Sequence, residues 1–132
     1  MLALRGEKDE SYQLCQDAMK TLGPTADLRD TLGVIYLARG EAQSAINEFE
    51  AAIGDGGVTS FKFVHLAMAE SLAENYTASA RALLRAFEMG LQLPQLSTLE
   101  RERYDQLVEK LKSEDAITDE EIQAAMTDKP TR

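Results

Sequence analysis

Residues 32–52 read LGVIYLARGEAQSAINEFEAA, two helix-forming runs on either side of a turn around Gly40. Ala52, which closes the stretch, recurs at one constant interval as Ala18 and Ala86. A residue of buried type stands three positions before each alanine, in the order Cys15, Phe49 and Leu83. A repeat of this length, about 34 residues, is typical of helix pairs that stack on their neighbours. We therefore predict an all-α fold built from antiparallel helix pairs.

The spaced residues of this stretch match a known repeat. They are Leu32, Gly33, Tyr36, Ala45, Phe49 and Ala52. In order and spacing they are similar to the tetratricopeptide repeat, and the chain resembles that family over about residues 1–112. The resemblance implies a right-handed α-solenoid of antiparallel helix pairs with a C-terminal capping helix. Small residues such as Gly33 are expected where two helices cross, with Leu32, Tyr36 and Phe49 around the crossing.

Turn-forming residues divide the chain into helices. The predicted helices cover residues 7–22, 26–39, 42–54, 60–74, 77–90, 96–112 and 119–127. We assign a repeat domain to residues 1–112 and an acidic tail with a short helix to 113–132. The domain comprises a partial repeat at 1–25, repeats at 26–59 and 60–93, and a capping helix at 94–112. Because the register places Met1 in the middle of a preceding helix whose opening turns are missing, we expect a C-terminal fragment of a longer repeat array.

Two local patterns stand out in the second half of the chain, one at a turn between helices and one in the tail. Glu74 replaces the turn glycine, so we expect Asn75 beside it to adopt the left-handed conformation. In the tail, Thr118 and Glu121 form a predicted capping box, and Ile117 and Ile122 bracket it as a hydrophobic staple. Since the tail is acidic, we expect its helix to dock on the convex side or on the cap and not in an acidic groove.

Composition excludes several classes of function. The 132 residues include 14 lysines and arginines against 23 aspartates and glutamates, a net charge of −9. No basic cluster is present, and nucleic-acid binding needs one. The sequence has no apolar run of membrane-spanning length and no signal-peptide core at its start. A single cysteine gives no sign of an oxidising compartment, so we expect a cytoplasmic protein without membrane insertion.

One face of the fourth predicted helix is apolar at helical spacing, at Phe61, Val64, His65 and Met68. The family resemblance implies that the first helix of each pair lines a concave groove. The partner-facing positions are then Asp27, Asp30, Val34, Leu37, Phe61, Val64, His65, Met68, Glu102 and Asp105. This groove is expected to bind an apolar or basic segment of a partner protein. The alternative is that its apolar members pack against the second and sixth predicted helices.

One ligand chemistry of the family does not fit this chain. Members that grip the C-terminal carboxylate of heat-shock chaperones use lysine, asparagine and arginine in the groove. The matching positions hold Asp27, Asp30, Val34, Val64, His65 and Met68. An acidic peptide with a terminal carboxylate is repelled by such a set.

Other motifs favour turns and core over chemistry. The loop Gly54-Asp55-Gly56-Gly57 lacks the lysine and hydroxyl residue of a nucleotide loop, and no strand precedes it. Asn75-Tyr76-Thr77 matches a glycosylation acceptor but is interpreted as a turn between helices. One histidine, His65, and one cysteine, Cys15, cannot build a zinc cage, and we expect Cys15 in the core. We predict a non-catalytic interaction scaffold without a metal or cofactor.

A second hypothesis is self-association. Leu14, Cys15 and Met19 lie on the exposed side of the helix predicted at residues 7–22, whose partner helix is truncated in the repeat register. Two chains would then pair through this side as a homodimer.

Overall fold

A computed structural model describes residues 2–54 and 59–127, with side chains from residue 10 onward. Every regular element in these ranges is helical, which confirms the all-α prediction. The α-helices are α1 (Leu2–Leu22), α2 (Ala26–Ala38), α3 (Ala42–Gly54), α4 (Ser60–Leu72), α5 (Tyr76–Glu88), α6 (Thr98–Ser113) and α7 (Asp119–Thr127), with a 3-10 turn at Leu93–Gln95. They belong to two compact units, Met1–Val58 with α1 to α3 and Thr59–Arg132 with α4 to α7. Of the loop 54–57, only Gly54 lies within the described residues, as the last residue of α3.

The first helix differs from its prediction. We expected a turn at Gly6 and a helix from residue 7, by analogy with Gly40, but α1 begins at Leu2 and runs through Gly6. A glycine inside a helix costs about 1 kcal/mol relative to alanine. The residues around Gly6 are leucine, alanine, arginine, glutamate and lysine, which are good helix formers and offset that cost.

In the first unit, α2 and α3 cross at a glycine, as predicted. A Cβ atom added to Gly33 would lie 2.5 Å from Cε1 of the Phe49 ring, which is 0% exposed. Ala45 and Ala52 of α3 are also fully buried, and Leu32 is 3% exposed. The absence of a side chain at position 33 therefore makes room for an aromatic ring between the helices. Tyr36 is half-buried, with its ring centroid 5.9 Å from that of Tyr12 on α1.

The second unit solves the same crossing with other residues. Ala67 of α4 and Leu83 of α5 occupy the positions one repeat after Gly33 and Phe49, and both are fully buried. Ser79, at the position equivalent to Ala45, donates a 2.6 Å hydrogen bond to the Ala67 carbonyl oxygen. An added methyl on one helix is thus matched by a smaller side chain on the other.

Four helices end in the same hydrogen-bonded motif, in which the residue after the last helical turn has a positive φ. Glycine takes this place after α2 (Gly40, φ 77°) and α5 (Gly90, φ 101°). After α4 the residue is Glu74 (φ 65°), and after α6 it is Asp115 (φ 57°). The expectation that Asn75 would be left-handed is therefore wrong, since its φ is −90°.

Asn75 is held in its observed conformation by Glu70 on α4. The Glu70 carbonyl oxygen accepts from the backbone N–H of Asn75 (2.8 Å), and the Glu70 carboxylate accepts from its Nδ2 (2.9 Å). These two bonds fix Asn75 as the residue that precedes α5 and leave the left-handed position to Glu74.

The tail helix packs on the second unit's own α5. Its predicted capping box is confirmed, because the Thr118 N–H donates to the Glu121 carboxylate (2.9 Å) and the Glu121 N–H donates to the Thr118 hydroxyl (3.1 Å). Both staple residues, Ile117 and Ile122, join the buried core of the unit at 3% and 8% exposure. The helix α7 thus docks on the second helix of the α4–α5 pair, and its expected place on a convex side stays a prediction.

Candidate interaction surface

The four apolar positions predicted on α4 divide into one core residue and three surface residues. Val64 is 4% exposed and belongs to the hydrophobic core of the second unit, so its side chain is not open to a partner. Phe61 and Met68 contact that core but remain half-buried. His65 is also half-buried. Val64 is therefore a core residue, whereas Phe61 and Met68 pack partly against that core and partly face solvent.

The exposed side of α4 extends one turn beyond the predicted set. Leu72 follows Met68 at i+4, and 47% of its surface is exposed. Phe61, His65, Met68 and Leu72 therefore follow one another at i, i+4, i+7 and i+11, which places them along one side of the helix. We call these four residues the α4 stripe. The continued helical period was the signal that could have identified Leu72 from the sequence.

The α2 positions lie in the other unit. Asp27 is exposed, whereas Asp30, Val34 and Leu37 are half-buried. Their spacing of three and four positions places them on one side of α2, with the two carboxylates toward its N-terminus. This order suits the helix dipole, because acidic groups stabilise the first turns. The predicted combination of acidic and apolar residues is thus present on a single helix.

Within the second unit, α6 packs against α4 and adds acidic groups and one large apolar side chain. Leu99 follows His65 by one repeat and is 56% exposed, and Glu102 follows Met68 by the same interval and is also exposed. Asp105 is exposed and accepts from Arg101 Nε at 3.2 Å. The sequence analysis did not identify Leu99 because it assigned residues 94–112 to a capping helix with a solvent-exposed face.

A depression of about 410 Å³ runs along α6. It is lined by Tyr104, Asp105, Gln106, Val108, Glu109 and Lys112. Burial raises the pKa of the Tyr104 hydroxyl, so this group stays neutral over the physiological range. The lining therefore combines two carboxylates, Asp105 and Glu109, with the ammonium group of Lys112 and the partly buried side chain of Val108.

Many basic side chains of the described residues are engaged by acidic ones. The pairs are Arg29–Glu48, Arg39–Glu41, Arg85–Glu88, Arg101–Asp105, Lys110–Glu114 and Lys112–Asp119. Such exposed or half-exposed pairs contribute little stability, about 0–1 kcal/mol each. The chain has nine more acidic than basic residues, so carboxylates remain after every basic side chain is paired. These excess carboxylates make the surface potential negative.

Among the described residues, the structure shows neither a reactive cysteine nor a group of side chains that could bind a metal ion. Cys15 is 5% exposed, which confirms its predicted place in the core, and its Sγ lies 3.4 Å from the Leu28 carbonyl oxygen. Burial, and secondarily the Glu48 carboxylate, raise the pKa of the Cys15 thiol. A raised pKa keeps the sulfur protonated and weakly nucleophilic. Among the described residues, no three His, Cys, Asp or Glu side chains are grouped to hold a metal ion.

Cys15 also alters the self-association surface. Of the three residues expected on it, only Leu14 is strongly exposed, at 70%, while Met19 is half-buried and Cys15 is buried. Leu22, two turns beyond Leu14, is 71% exposed. Leu14 and Leu22 are therefore the large apolar side chains that α1 exposes between residue 10 and its C-terminal end.

Comparison with other proteins returns no match to any family model, characterised protein or solved structure. None of the helices in the described part of the chain combines the length and apolar character that a membrane span requires. The cytoplasmic location stays a prediction.

Proposed function

We propose that this chain is a tetratricopeptide-like interaction module, a right-handed solenoid of helix pairs that binds a partner protein without catalysis. Two observations support the repeat architecture. The α2–α3 and α4–α5 pairs place equivalent residues at their crossings, Gly33 with Phe49 and Ala67 with Leu83. Both pairs also end their first helix with the same motif at equivalent positions of the repeat, Gly40 and Glu74.

The α4 stripe is the observation that carries the binding proposal. Its side chains lie away from the α4–α5 crossing, and Leu72 leaves 47% of its surface in solvent. An apolar strip on the first helix of a pair is where the family resemblance implies the partner to bind. Acidic residues accompany it within the same unit, namely Glu102 and Asp105 on α6, the helix that packs against α4. The partner we propose is an apolar or basic segment, because apolar contact supplies affinity and opposite charge supplies selectivity.

Peptide titration tests this proposal. Two amphipathic peptides with the same apolar face, one with lysines and one with glutamates on the polar face, are titrated while fluorescence anisotropy is measured. The basic peptide is expected to bind, and its affinity to fall with added salt. Preferential binding of the acidic peptide would refute the partner chemistry.

Matched variants locate the binding surface. Leu72→Gln removes an apolar side chain that is about half exposed before binding. We expect this change to weaken binding by about 1 kcal/mol, which raises the dissociation constant about five-fold. Leu22→Gln is the control, since Leu22 is equally apolar and more exposed but lies on α1. If the two variants weaken binding equally, the α4 stripe is not the site.

Self-association is the second candidate, favoured by the exposure of Leu14 and Leu22 on α1. In this case the two leucines of each chain pair across a homodimer. Sedimentation of the unmodified protein and of Leu14→Glu tests it. A dimer that Leu14→Glu dissociates supports this function, and a protein that is monomeric at all concentrations excludes it.

A further inference from the structure

The junction between α6 and α7 is a helix end without a helix-breaking residue. The N–H of Ala116 donates to the Leu111 carbonyl oxygen (2.8 Å), and the N–H of Asp115 donates to that of Lys112 (3.0 Å). This motif requires a left-handed residue, and Asp115 supplies it with φ 57°. An L-residue with a side chain is strained in this conformation, and glycine is not.

The remaining sequence of the junction is compatible with a continuous helix. Residues 114–118 read Glu-Asp-Ala-Ile-Thr, and neither glycine nor proline occurs between Leu111 and Ile122. At the ends of α2 and α5, by contrast, glycine occupies the left-handed position. If residues 114–118 all take right-handed helical dihedrals, for which Asp115 must leave the left-handed region, the bonds of the helix end and of the α7 cap are replaced by helical i to i−4 bonds. The Lys112–Asp119 ion pair is lost in that change, but both side chains are substantially exposed and such a pair contributes little.

What α7 gains from its present position is apolar burial on α5. Ile117, Ile122 and Ala125 are 3%, 8% and 7% exposed, and Met126 contacts the same core. With nine residues, α7 is too short to be stable as an isolated helix. Released from α5, it needs an equivalent apolar surface, and the α5 of a second copy is identical to the one it left.

We propose that α7 is an exchangeable arm: α6 and α7 fuse into one helix, and α7 of each copy packs on α5 of the other. As a helical extension of α6, residues 114–127 reach roughly 21 Å beyond the present C-terminal end of α6, at about 1.5 Å per residue. The contacts of Ile122, Ala125 and Met126 are chemically the same in the exchanged form and cancel, so the hinge, with its strain at Asp115 and its buried Ile117, decides the balance. A second copy is the occupant because complementarity between α5 and α7 is already present in the fold.

Two substitutions at one position move this balance in opposite directions. Asp115→Gly removes the strain of the left-handed conformation and is expected to keep the chain monomeric. Asp115→Ala raises both that strain and the helix propensity, and is expected to promote a dimer. Because a dimer has two hinges, the association constants are expected to differ roughly thirty-fold or more. Analytical ultracentrifugation over a range of protein concentrations measures them.

The controls separate exchange from other dimers and from simple unfolding. Glu74→Ala and Glu74→Gly change the other non-glycine left-handed residue of the described chain and are expected to leave association unchanged. Adding Ile122→Glu to Asp115→Ala should abolish the dimer, since the buried side of α7 then carries a charge. Leu14→Glu in the same background should preserve it. Circular dichroism confirms that each variant is folded.

The unmodified chain provides a measurement that does not depend on the Asp115 variants folding. At high concentration it is expected to form some dimer, which Ile122→Glu removes. The proposal is overturned if Asp115→Ala and Asp115→Gly associate equally, or if dimers persist with Ile122→Glu. It is also overturned if Leu14→Glu alone dissociates them, since the α1 side then forms the interface.

Discussion

Replacing Gly33 by alanine tests whether the helix crossing has the close contact that the structure describes. The new Cβ would lie 2.5, 2.7 and 2.9 Å from three atoms of the Phe49 ring. Such short distances require the ring or α2 to move, and Phe49 is 0% exposed, so the ring has no free space to enter. Overpacking of this kind costs about 1–3 kcal/mol. The helix propensity of alanine returns about 1 kcal/mol, which leaves a net destabilisation of roughly 0–2 kcal/mol.

Gly54→Ala is the matched control, because the same substitution there meets no atom within 4 Å and Gly54 is the last residue of α3. It is expected to be neutral or slightly stabilising. Urea denaturation, followed by circular dichroism, measures the free energy of unfolding of both variants. If Gly33→Ala is as stable as Gly54→Ala, the contact between α2 and Phe49 is wrong.

The double variant Gly33→Ala with Phe49→Leu extends the test, since it reproduces the Ala67 and Leu83 pair of the second unit. Leucine withdraws the ring atoms that the new methyl meets. The double variant should therefore be more stable than the sum of the single changes predicts. A coupling of about 1 kcal/mol or more in the double-mutant cycle is expected, and additive changes would contradict the proposed compensation.

Three further predictions concern single groups. Glu74→Gly should raise the free energy of unfolding by about 1 kcal/mol, because glycine removes left-handed strain; an unchanged urea midpoint would contradict this. A side-chain hydrogen bond with Tyr12, followed by burial, raises the pKa of Tyr36 to about 12. Its contribution to stability is therefore complete below about pH 10 and lost as the pH rises from about 10 to 12, and Tyr12→Phe should lower the Tyr36 pKa in an ultraviolet titration. Ser79→Ala removes the hydrogen bond to the Ala67 carbonyl and should cost about 1 kcal/mol in thermal or urea unfolding, whereas a stabilised variant would show that the bond is not needed.

Helix positions and crossings could be predicted because they depend on spacing. The repeat period indicates which residues of α2 and α3 face each other, and it identifies Gly33, Ala45 and Phe49 as residues of the crossing from the sequence alone. The α7 cap could be predicted for a similar reason, since the capping box and staple are local patterns in the short run from Ile117 to Ile122. Local rules require no knowledge of tertiary contacts.

Features set by competition between local and tertiary terms could not be predicted. Local preference favours Asn75 as the left-handed residue, but two hydrogen bonds to Glu70 hold Asn75 elsewhere and leave Glu74 in that conformation. Val64 and Leu72 are both apolar and both lie on α4, but Val64 is buried and Leu72 is exposed. Periodicity identifies an apolar side of a helix, but only the neighbouring helices determine which part of it is covered.

The two helix pairs together indicate which apolar residues require a functional explanation. At the crossing, side chains compensate one another: the glycine and phenylalanine of one pair become alanine and leucine in the other, and buried alanine becomes buried serine with a hydrogen bond. Residues under that constraint are accounted for by packing alone. Leu72 and Leu99 lie outside that constraint, since about half of their surface is in solvent. The proposed function accounts for these two residues by a partner that covers Leu72 on α4 and Leu99 on α6, the helix that packs against α4.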